Sequence, residues 1–354
     1  MRLQSESHQS LARHSTVPNG AWHNRSVNTS PRQIQRDDLV LSPAMVLAAH
    51  GRIGASIVQT PVEDVSSIFP GTSARVFFKM ENLQQTGSFK LRGATNKILS
   101  LSKSQAGAGV IAASNGNHGL GVAAAARQAG IAAEVFVSER VSPAKAQRIE
   151  QLGAVIRRFG REPLDAELAA RAAAEESGKV FISPYNDLDV MAGQGTIGVE
   201  LVRQLGSLDA VFVAVGGGGL IGGIGAYLKS ASPQTEVVGC WPQNSPVLYE
   251  SIKAGRIAEV EEKPTLSEST AGGLEPGSVT LELCRRVIDR SVLVSEEEIL
   301  SAMRLVRDTK GWLIEGAAGV AVAALRREIA RYQGMTVAVI ICGGNLSEKV
   351  RAII

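Results

Sequence analysis

The chain has 354 residues, of which 44% are hydrophobic and 4% aromatic, and its formal net charge at pH 7 is +3. This length is enough for about two domains with a sizeable core. The small charge and the scarcity of aromatic side chains argue against a nucleic-acid-binding surface. Since no apolar run approaches the roughly 20 residues of a membrane helix, we expect no membrane association.

The N-terminal segment differs in composition from the rest of the chain. Its first 36 residues contain five arginines and three of the five histidines, with a single acidic residue, Glu6. An arginine-rich, acid-poor leader is also typical of organelle transit peptides, but neither an amphipathic helix nor a signal-peptide core is evident. We therefore predict a disordered extension over residues 1–38.

The three cysteines, Cys240, Cys284 and Cys342, are far apart in the sequence and lack the spacing of a metal site. A sparse, odd number of cysteines is typical of a reducing compartment. We therefore expect a cytoplasmic protein.

From residue 42 onward, short apolar runs alternate with amphipathic helical stretches. Strands are predicted over residues 75–79, 110–113, 133–137, 155–159, 180–182, 210–215, 237–240, 292–294 and 337–341. Helices are predicted over residues 43–50, 88–101, 118–130, 143–152, 163–177, 194–205, 220–230, 296–309 and 317–332. This alternation predicts an α/β protein with mainly parallel sheets and helices on both faces. Two sheets, one nested in the chain between two halves of the other, fit the length.

Residues 81–93 read ENLQQTGSFKLRG and contain the first candidate for chemistry, Lys90. We expect Ser88 to be the N-cap, which places Lys90 in the first helical turn. The partial positive charge of a helix N-terminus disfavours the ammonium form, and the neutral amine is the form that attacks carbonyl groups. Lys90 is thus a candidate Schiff-base lysine, although a solvated surface lysine is the commoner case for such a residue taken alone.

Two polar or glycine-rich loops follow predicted strands, where open α/β sheets bind ligands. The first, residues 114–119, reads SNGNHG and offers hydroxyl, amide and backbone N–H donors to a carboxylate or phosphate. The second is the run Gly216, Gly217, Gly218 and Gly219, whose backbone N–H groups can converge on an anion. A capping turn and a purely structural glycine turn are the respective alternatives.

The second loop also matches the dinucleotide pattern G-x-G-x-x-G over residues 217–222. That pattern requires an acidic residue at the end of the next strand, which here ends in Cys240 and Trp241. A phosphate monoester therefore fits this loop better than a nicotinamide dinucleotide.

A third loop, CGGN over residues 342–345, follows the last strand. In combination and in this order, the features resemble pyridoxal-phosphate enzymes of the tryptophan-synthase-β type. The resemblance is strongest to the serine/threonine dehydratase and serine racemase family and covers the body from about residue 42. The motifs that carry it are TGSFKLRGA, SNGNHG, AGQGT (residues 192–196), VGGGGL and CGGN.

The resemblance implies the fold of type II pyridoxal-phosphate enzymes, with two domains that each contain a mainly parallel twisted sheet flanked by helices. A large cofactor-binding domain would comprise residues 39–108 and 187–354. A small mobile domain would comprise residues 109–186. A homodimer is also expected.

The resemblance assigns Lys90 the role of binding pyridoxal phosphate covalently and of removing the α-proton of the substrate. It implies cofactor contacts from Phe89, Lys90, Asn117, Gly216, Gly217, Gly218, Gly219 and Cys342. It implies substrate-carboxylate contacts from Ser114, Asn115, Gly116 and His118. Asn117 would bond the phenolic oxygen of the cofactor, and Cys342 would face its pyridine nitrogen. A thiol need not protonate that nitrogen, which favours β-elimination over transamination.

The implied function is that of a dehydratase, or ammonia-lyase, which converts a β-hydroxy amino acid of the L-threonine or L-serine type to a 2-keto acid and ammonia. Three positions depart from the family pattern. Asn115 replaces the serine of the racemases, so racemisation is not expected. Residues 240–247 contain no acid, so no metal site is expected there. Gly272 replaces an aspartate found in many members, so a bulkier substrate such as 3-phenylserine is an alternative.

Other readings stay open at this point. Serine racemase activity is one, and a β-replacement enzyme of the cysteine-synthase type is another within the same fold. A non-enzymatic pyridoxal-phosphate or amino-acid binding protein is the third.

Overall fold

The computed structural model describes residues 41–354, so the predicted extension over residues 1–38 lies outside the described part. The described residues contain ten strands in two sheets. The strands are β1 (Val62–Asp64), β2 (Arg75–Lys79), β3 (Val110–Ala113), β4 (Ala133–Val137), β5 (Val155–Arg158), β6 (Val180–Phe181), β7 (Ala210–Ala214), β8 (Glu236–Pro242), β9 (Arg290–Val294) and β10 (Thr336–Ile340).

Thirteen α-helices connect and flank these strands in the described range. They are α1 (Pro43–Ile53), α2 (Lys90–Leu99), α3 (Lys103–Ala108), α4 (Asn117–Ala129), α5 (Pro143–Gln151), α6 (Pro163–Ser177), α7 (Leu188–Leu205), α8 (Gly219–Ala231), α9 (Val247–Ala254), α10 (Thr280–Val287), α11 (Glu296–Lys310), α12 (Gly316–Glu328) and α13 (Glu348–Arg351).

The larger sheet has the order β1-β2-β10-β7-β8-β9, and the smaller has the order β5-β4-β3-β6. All neighbouring strands are parallel except the edge pair β1–β2. The four strands of the smaller sheet fall between β2 and β7 in the chain. The predicted α/β class is therefore confirmed, as is the insertion of one sheet between two halves of the other in chain order.

The division into a large and a small mobile domain stays a prediction. All strands of the smaller sheet lie within residues 109–186, as the predicted boundaries require. However, the described residues 41–354 all belong to one compact unit.

The central strands of the larger sheet are continuous apolar runs because both of their faces are buried. Every residue of β7 and β10 is buried, since helices cover both faces of the larger sheet. Helix α12 packs against β7, β8, β9 and β10, and helices α4 and α6 pack against β3 and β4.

Two predicted helix starts are wrong. Helix α2 begins at Lys90 and not at Ser88, because Ser88 pairs with Gly343 in an isolated bridge. The Ser88 hydroxyl has no hydrogen-bond partner in the described part of the chain. Helix α7 begins at Leu188 and not at residue 194. The side chain of Asp187 accepts hydrogen bonds from the backbone N–H groups of Asp189 and Val190 and so caps it.

Within residues 41–354, no helix combines the length and the apolar character that crossing a bilayer demands.

Candidate active site

The candidate site is built around Lys90, the first residue of α2. The N–H of the preceding residue, Phe89, donates a 3.0 Å hydrogen bond to the carbonyl of Cys342, just beyond β10. The bridge between Ser88 and Gly343 reinforces this contact. The lysine is thereby attached to the carboxyl end of the larger sheet, where parallel α/β sheets bind ligands.

The amine of Lys90 donates a 2.8 Å hydrogen bond to the carbonyl oxygen of Pro184 and lies 5.2 Å from the centre of the Phe89 ring. Protein surrounds the amine, although the side chain keeps some solvent contact through a cavity. Burial lowers the pKa of Lys90 to about 8, against the opposing effect of the nearby Glu315 carboxylate. About a tenth of the amine is therefore neutral at pH 7, and the neutral form is the one that a nucleophilic lysine requires.

A fully buried ion network fixes helix α2 behind the lysine. The Arg92 guanidinium lies between two carboxylates, with Nε 2.7 Å from Glu81 and Nη1 2.6 Å from Glu200. The amine of Lys79 lies 2.5 Å from Glu200 as well. Two cations thus balance two carboxylates, so none of these buried charges lacks an opposite partner.

The AGQGT stretch also supports the site rather than lining it. Gln194 Oε1 accepts a 3.2 Å hydrogen bond from the N–H of Gly93, where α7 crosses α2. A Cβ atom at Gly93 would lie 2.3 Å from the Gln194 side chain, so only glycine permits this approach. The motif therefore holds the lysine helix in place.

Asn117 lies at the start of α4 with both ends of its amide engaged. Its Nδ2 donates to Glu315 at 2.9 Å, and its Oδ1 accepts from Asn345 at 2.7 Å. One N–H of Nδ2 remains for a ligand, since a side-chain amide carries two donors. The SNGNHG and CGGN motifs thus meet through this pair.

Among the described residues, Ser138 is the only hydrogen-bond partner of the Asn115 amide. Its Nδ2 donates to the Ser138 hydroxyl at 2.8 Å, and its Oδ1 accepts from the Ser138 N–H at 2.9 Å. The hydroxyl of Ser114 accepts from the N–H of Gly116 at 3.0 Å. These bonds fix the shape of the loop that follows β3.

His118 is buried behind that loop. Its Nε2 lies 2.8 Å from the carbonyl oxygen of Ile182. Burial, together with the nearby Lys90, lowers the pKa of His118 to about 3, so the ring is neutral at pH 7. The geometry gives His118 a bond to the backbone next to β6, and no contact with the cavity.

The four glycines form the turn between β7 and α8. Gly218 has a φ of +87°, a conformation that favours glycine. A Cβ atom at Gly217 would lie 2.4 Å from the Tyr185 ring, and one at Gly216 would lie 2.9 Å from Thr270. The first N–H groups of α8 have no acceptor earlier in the helix, so this turn presents free donors to an anion.

Cys342 and Glu315 are in contact at the carboxyl end of β10. The thiol donates a 3.7 Å hydrogen bond to Glu315 Oε1, which also accepts from Ser269 at 3.0 Å. Burial and the nearby Glu315 raise the pKa of Cys342 well above its usual value, so the thiol is neutral. Burial likewise raises the pKa of Glu315, although the hydrogen bonds that it accepts from Asn117 and Ser269 act to lower this pKa.

A cavity of about 1170 Å³ brings most of these groups together. Its wall includes the predicted residues Phe89, Lys90, Ser114, Asn115, Asn117, Gly216, Gly217, Gly218, Gly219 and Cys342. Gly116 and His118 do not line it. Their assignment to the substrate carboxylate therefore stays a prediction, and for His118 the geometry gives no support.

The residues on this wall fit pyridoxal phosphate. A lysine with a lowered pKa supplies the amine for covalent attachment. The glycine turn, against which Tyr185 and Thr270 leave no room for a Cβ atom, supplies donors for a phosphate. Asn117 has a donor to spare, and Cys342 supplies a neutral thiol.

Sequence reasoning missed three contributors to the site, namely Glu315, Pro184 and Tyr185. Glu315 precedes a small-residue helix, and nothing in its local pattern indicates a bond to Asn117. Pro184 and Tyr185 lie three and two residues before the Asp187 cap of α7. That capping signal was available, and it would have placed them at a helix entrance beside the site.

Comparison with known proteins identifies this arrangement. The sequence profile of the family described as "Pyridoxal-phosphate dependent enzyme" matches residues 53–343. The L-threonine ammonia-lyase of Thermotoga maritima is 42% identical over 275 residues, which cover 78% of this chain and 68% of the relative. The phenylserine dehydratase of Ralstonia pickettii is 35% identical and covers 88% of this chain and 95% of the relative.

Among solved structures, maize serine racemase superposes with a TM-score of 0.82 at 28% identity. The match covers 88% of this chain and 95% of the racemase chain. The predicted family, fold type and cofactor are thereby confirmed.

Proposed function

We propose that this chain, which belongs to the family of pyridoxal-phosphate dependent enzymes and is a lyase, converts β-hydroxy amino acids of the L-threonine type to 2-keto acids and ammonia. The observation that carries the proposal is the Lys90 amine, with its pKa lowered to about 8, on the wall of a cavity that the tetraglycine turn also lines. Similarity to an L-threonine ammonia-lyase and a phenylserine dehydratase supports it.

The bound cofactor supplies an electron-withdrawing ring that stabilises negative charge on the substrate Cα. Lys90 Nζ takes the proton from Cα, for which a neutral amine is required. The Pro184 carbonyl, which accepts from Lys90 Nζ at 2.8 Å, orients the amine. The β-hydroxyl leaves together with a proton as water. The released enamine tautomerises to an imine, which adds water and loses ammonia to give the keto acid.

The state of Asn115 favours dehydration over racemisation. A side-chain amide acts neither as an acid nor as a base near neutral pH, and both polar atoms of the Asn115 amide are bonded to Ser138. Racemisation requires a second acid or base on the face opposite Lys90. Elimination requires only Lys90 and a leaving hydroxyl.

A specific observation favours 3-phenylserine as a second candidate substrate. Apolar side chains of Phe136, Leu164 and Leu168 line the same cavity, whose volume of about 1170 Å³ is shared between cofactor and substrate. An aryl β-substituent could bury against these side chains, whereas threonine presents only a methyl group. The substrate range therefore extends from threonine toward aromatic β-hydroxy amino acids.

The test is a keto-acid assay of the holoenzyme with L-serine, L-threonine and L-threo-3-phenylserine, with O-acetylserine plus sulfide as a β-replacement control. Keto acid and ammonia in equal amounts from a β-hydroxy amino acid support the proposal. Cysteine formation from O-acetylserine without keto acid would replace it with a β-replacement activity.

We further propose that the enzyme is a cytoplasmic homodimer. Its three cysteines are all buried thiols without disulfide bonds, which is compatible with a reducing compartment. Light scattering at micromolar concentration measures the mass, and a monomer would contradict the dimer.

A further inference from the structure

The cavity has a charged region to which the proposed chemistry assigns no role. Its wall there comes from α6 and from the loop between α9 and α10, and it carries charged side chains. The acidic residues on the wall are Glu162, Glu167, Glu262, Glu268 and Glu275, and the cations other than Lys90 are Arg171 and Lys263.

Arg171 is held by two carboxylates from different parts of the chain. Its Nη2 is 2.8 Å from Glu167 Oε1 on the same helix and 2.5 Å from Glu275 Oε2 on the loop. Its guanidinium carbon lies 4.3 Å from the centre of the Phe181 ring, which fixes the plane of the group. One positive charge is thus shared by two negative charges.

Glu275 itself has one oxygen to spare. Its Oε1 is buried and has no hydrogen-bond partner among the described residues. Its backbone N–H donates a 2.9 Å hydrogen bond to the hydroxyl of Tyr185, whose ring packs on Gly217 of the tetraglycine turn. The position of this carboxylate is therefore fixed relative to the cofactor site.

We propose that Glu275 determines substrate specificity by neutralising Arg171 and thereby excluding β-hydroxy amino acids with an acidic β-substituent. Resting on the proposed function, this inference names its substrate class as β-hydroxy amino acids with neutral β-substituents. A substrate carboxylate in this region would meet the Arg171 guanidinium, whose charge is already balanced by Glu167 and Glu275. It would also meet Glu275 Oε1, which has no hydrogen-bond donor among the described residues. Like charges in such a partly desolvated site repel strongly.

The test is equilibrium binding of L-aspartate and L-2-aminobutyrate to the holoenzyme by titration calorimetry. Aspartate carries a carboxylate on Cβ where 2-aminobutyrate carries a methyl group. Neither has a β-hydroxyl, so neither can lose water. In the wild type we expect aspartate to bind at least about tenfold more weakly, which corresponds to one charge repulsion of ordinary size. In Glu275→Gln, which keeps the backbone bond to Tyr185, the ratio of the Kd of aspartate to the Kd of 2-aminobutyrate should fall about tenfold.

The matched control is Glu268→Gln, which removes one negative charge from the same wall without contact to Arg171. Its ratio should stay within about twofold of the wild type. The double variant Glu275→Gln with Arg171→Met should lose the gain, since the released guanidinium is then absent. Should Glu275→Gln fold poorly, Glu167→Gln removes the other carboxylate that pairs with Arg171, and it should shift the ratio of dissociation constants in the same direction.

An unchanged ratio in Glu275→Gln, or an equal shift in Glu268→Gln, would overturn the role of Glu275. Wild-type preference for aspartate would do the same. A failure of the proposed function would look different, because the keto-acid assay would then give no product with any β-hydroxy amino acid while the binding ratios remained measurable.

Discussion

The amine of Lys90 donates a 2.8 Å hydrogen bond to the carbonyl oxygen of Pro184, and the next residue, Tyr185, packs on the tetraglycine turn. A single short segment before α7 thus contacts both the Lys90 amine and the tetraglycine turn. This segment orients an amine whose pKa burial has lowered to about 8.

The first prediction concerns the pH dependence of cofactor attachment. Only the neutral amine of Lys90 attacks the aldehyde, so the rate constant for binding of pyridoxal phosphate to apoenzyme should rise about tenfold per pH unit below the midpoint. It should level off above a midpoint near pH 8. Stopped-flow absorbance over a range of pH measures it, and a midpoint near the usual lysine value would show that burial does not lower the pKa.

The second prediction concerns the buried ion network behind the lysine helix. Glu200→Gln leaves Lys79 and Arg92 buried with Glu81 as the only remaining carboxylate among their partners in the described structure. The free energy of unfolding should fall by about 3–5 kcal/mol, because an uncompensated charge stays buried. Urea denaturation measures the change.

The control for the network is Arg140→Gln, which breaks the exposed pair with Glu162. That variant should change the free energy of unfolding by about 0–1 kcal/mol. Equal effects of the two substitutions would contradict the structural role of the buried network.

The third prediction concerns racemisation. The wild type should form keto acid without detectable D-threonine or D-serine, because Asn115 is bonded to Ser138 and cannot exchange a proton. Asn115→Ser should give at most slow racemisation, since a serine also needs neighbours that assist its proton transfer. Chiral chromatography of recovered substrate decides the matter, with deuterium incorporation at Cα as a control. A D-isomer formed as fast as keto acid would return the racemase reading to first place.

The fourth prediction concerns metal ions. Chelator treatment should leave activity nearly unchanged, because the end of β8 and the turn that follows it contain no acid over residues 240–247. In that turn the hydroxyl of Ser245 is instead bonded to Glu262. The assay compares dialysed enzyme with and without added Mg²⁺ or Ca²⁺. A large loss that either ion restores would reveal a metal site elsewhere.

Much of the fold and of the site was predictable because it depends on local pattern. Continuous apolar runs such as β7 and β10 predict buried parallel strands, and loops at their carboxyl ends predict ligand contacts. The positions of Lys90, the tetraglycine turn and Cys342 on one cavity wall follow from that rule.

The remainder depends on contacts between residues distant in the sequence. Nothing near Ser88 indicates that it pairs with Gly343 and leaves the cap to Phe89. The bonds of Glu315 to Asn117 and Ser269 join residues far apart in the chain. His118 looks like a donor at a helix start, but the fold turns it toward Ile182.

The most direct test of the central claim is borohydride reduction of the holoenzyme followed by peptide mapping, together with the keto-acid assay of Lys90→Ala. The cofactor should be fixed on Lys90 alone, and turnover in the variant should fall by about 10³-fold or more. The control Lys103→Ala, which changes an exposed lysine at the start of α3, should keep wild-type turnover. Cofactor fixed on another lysine, or near-normal keto-acid formation by Lys90→Ala, would contradict the account.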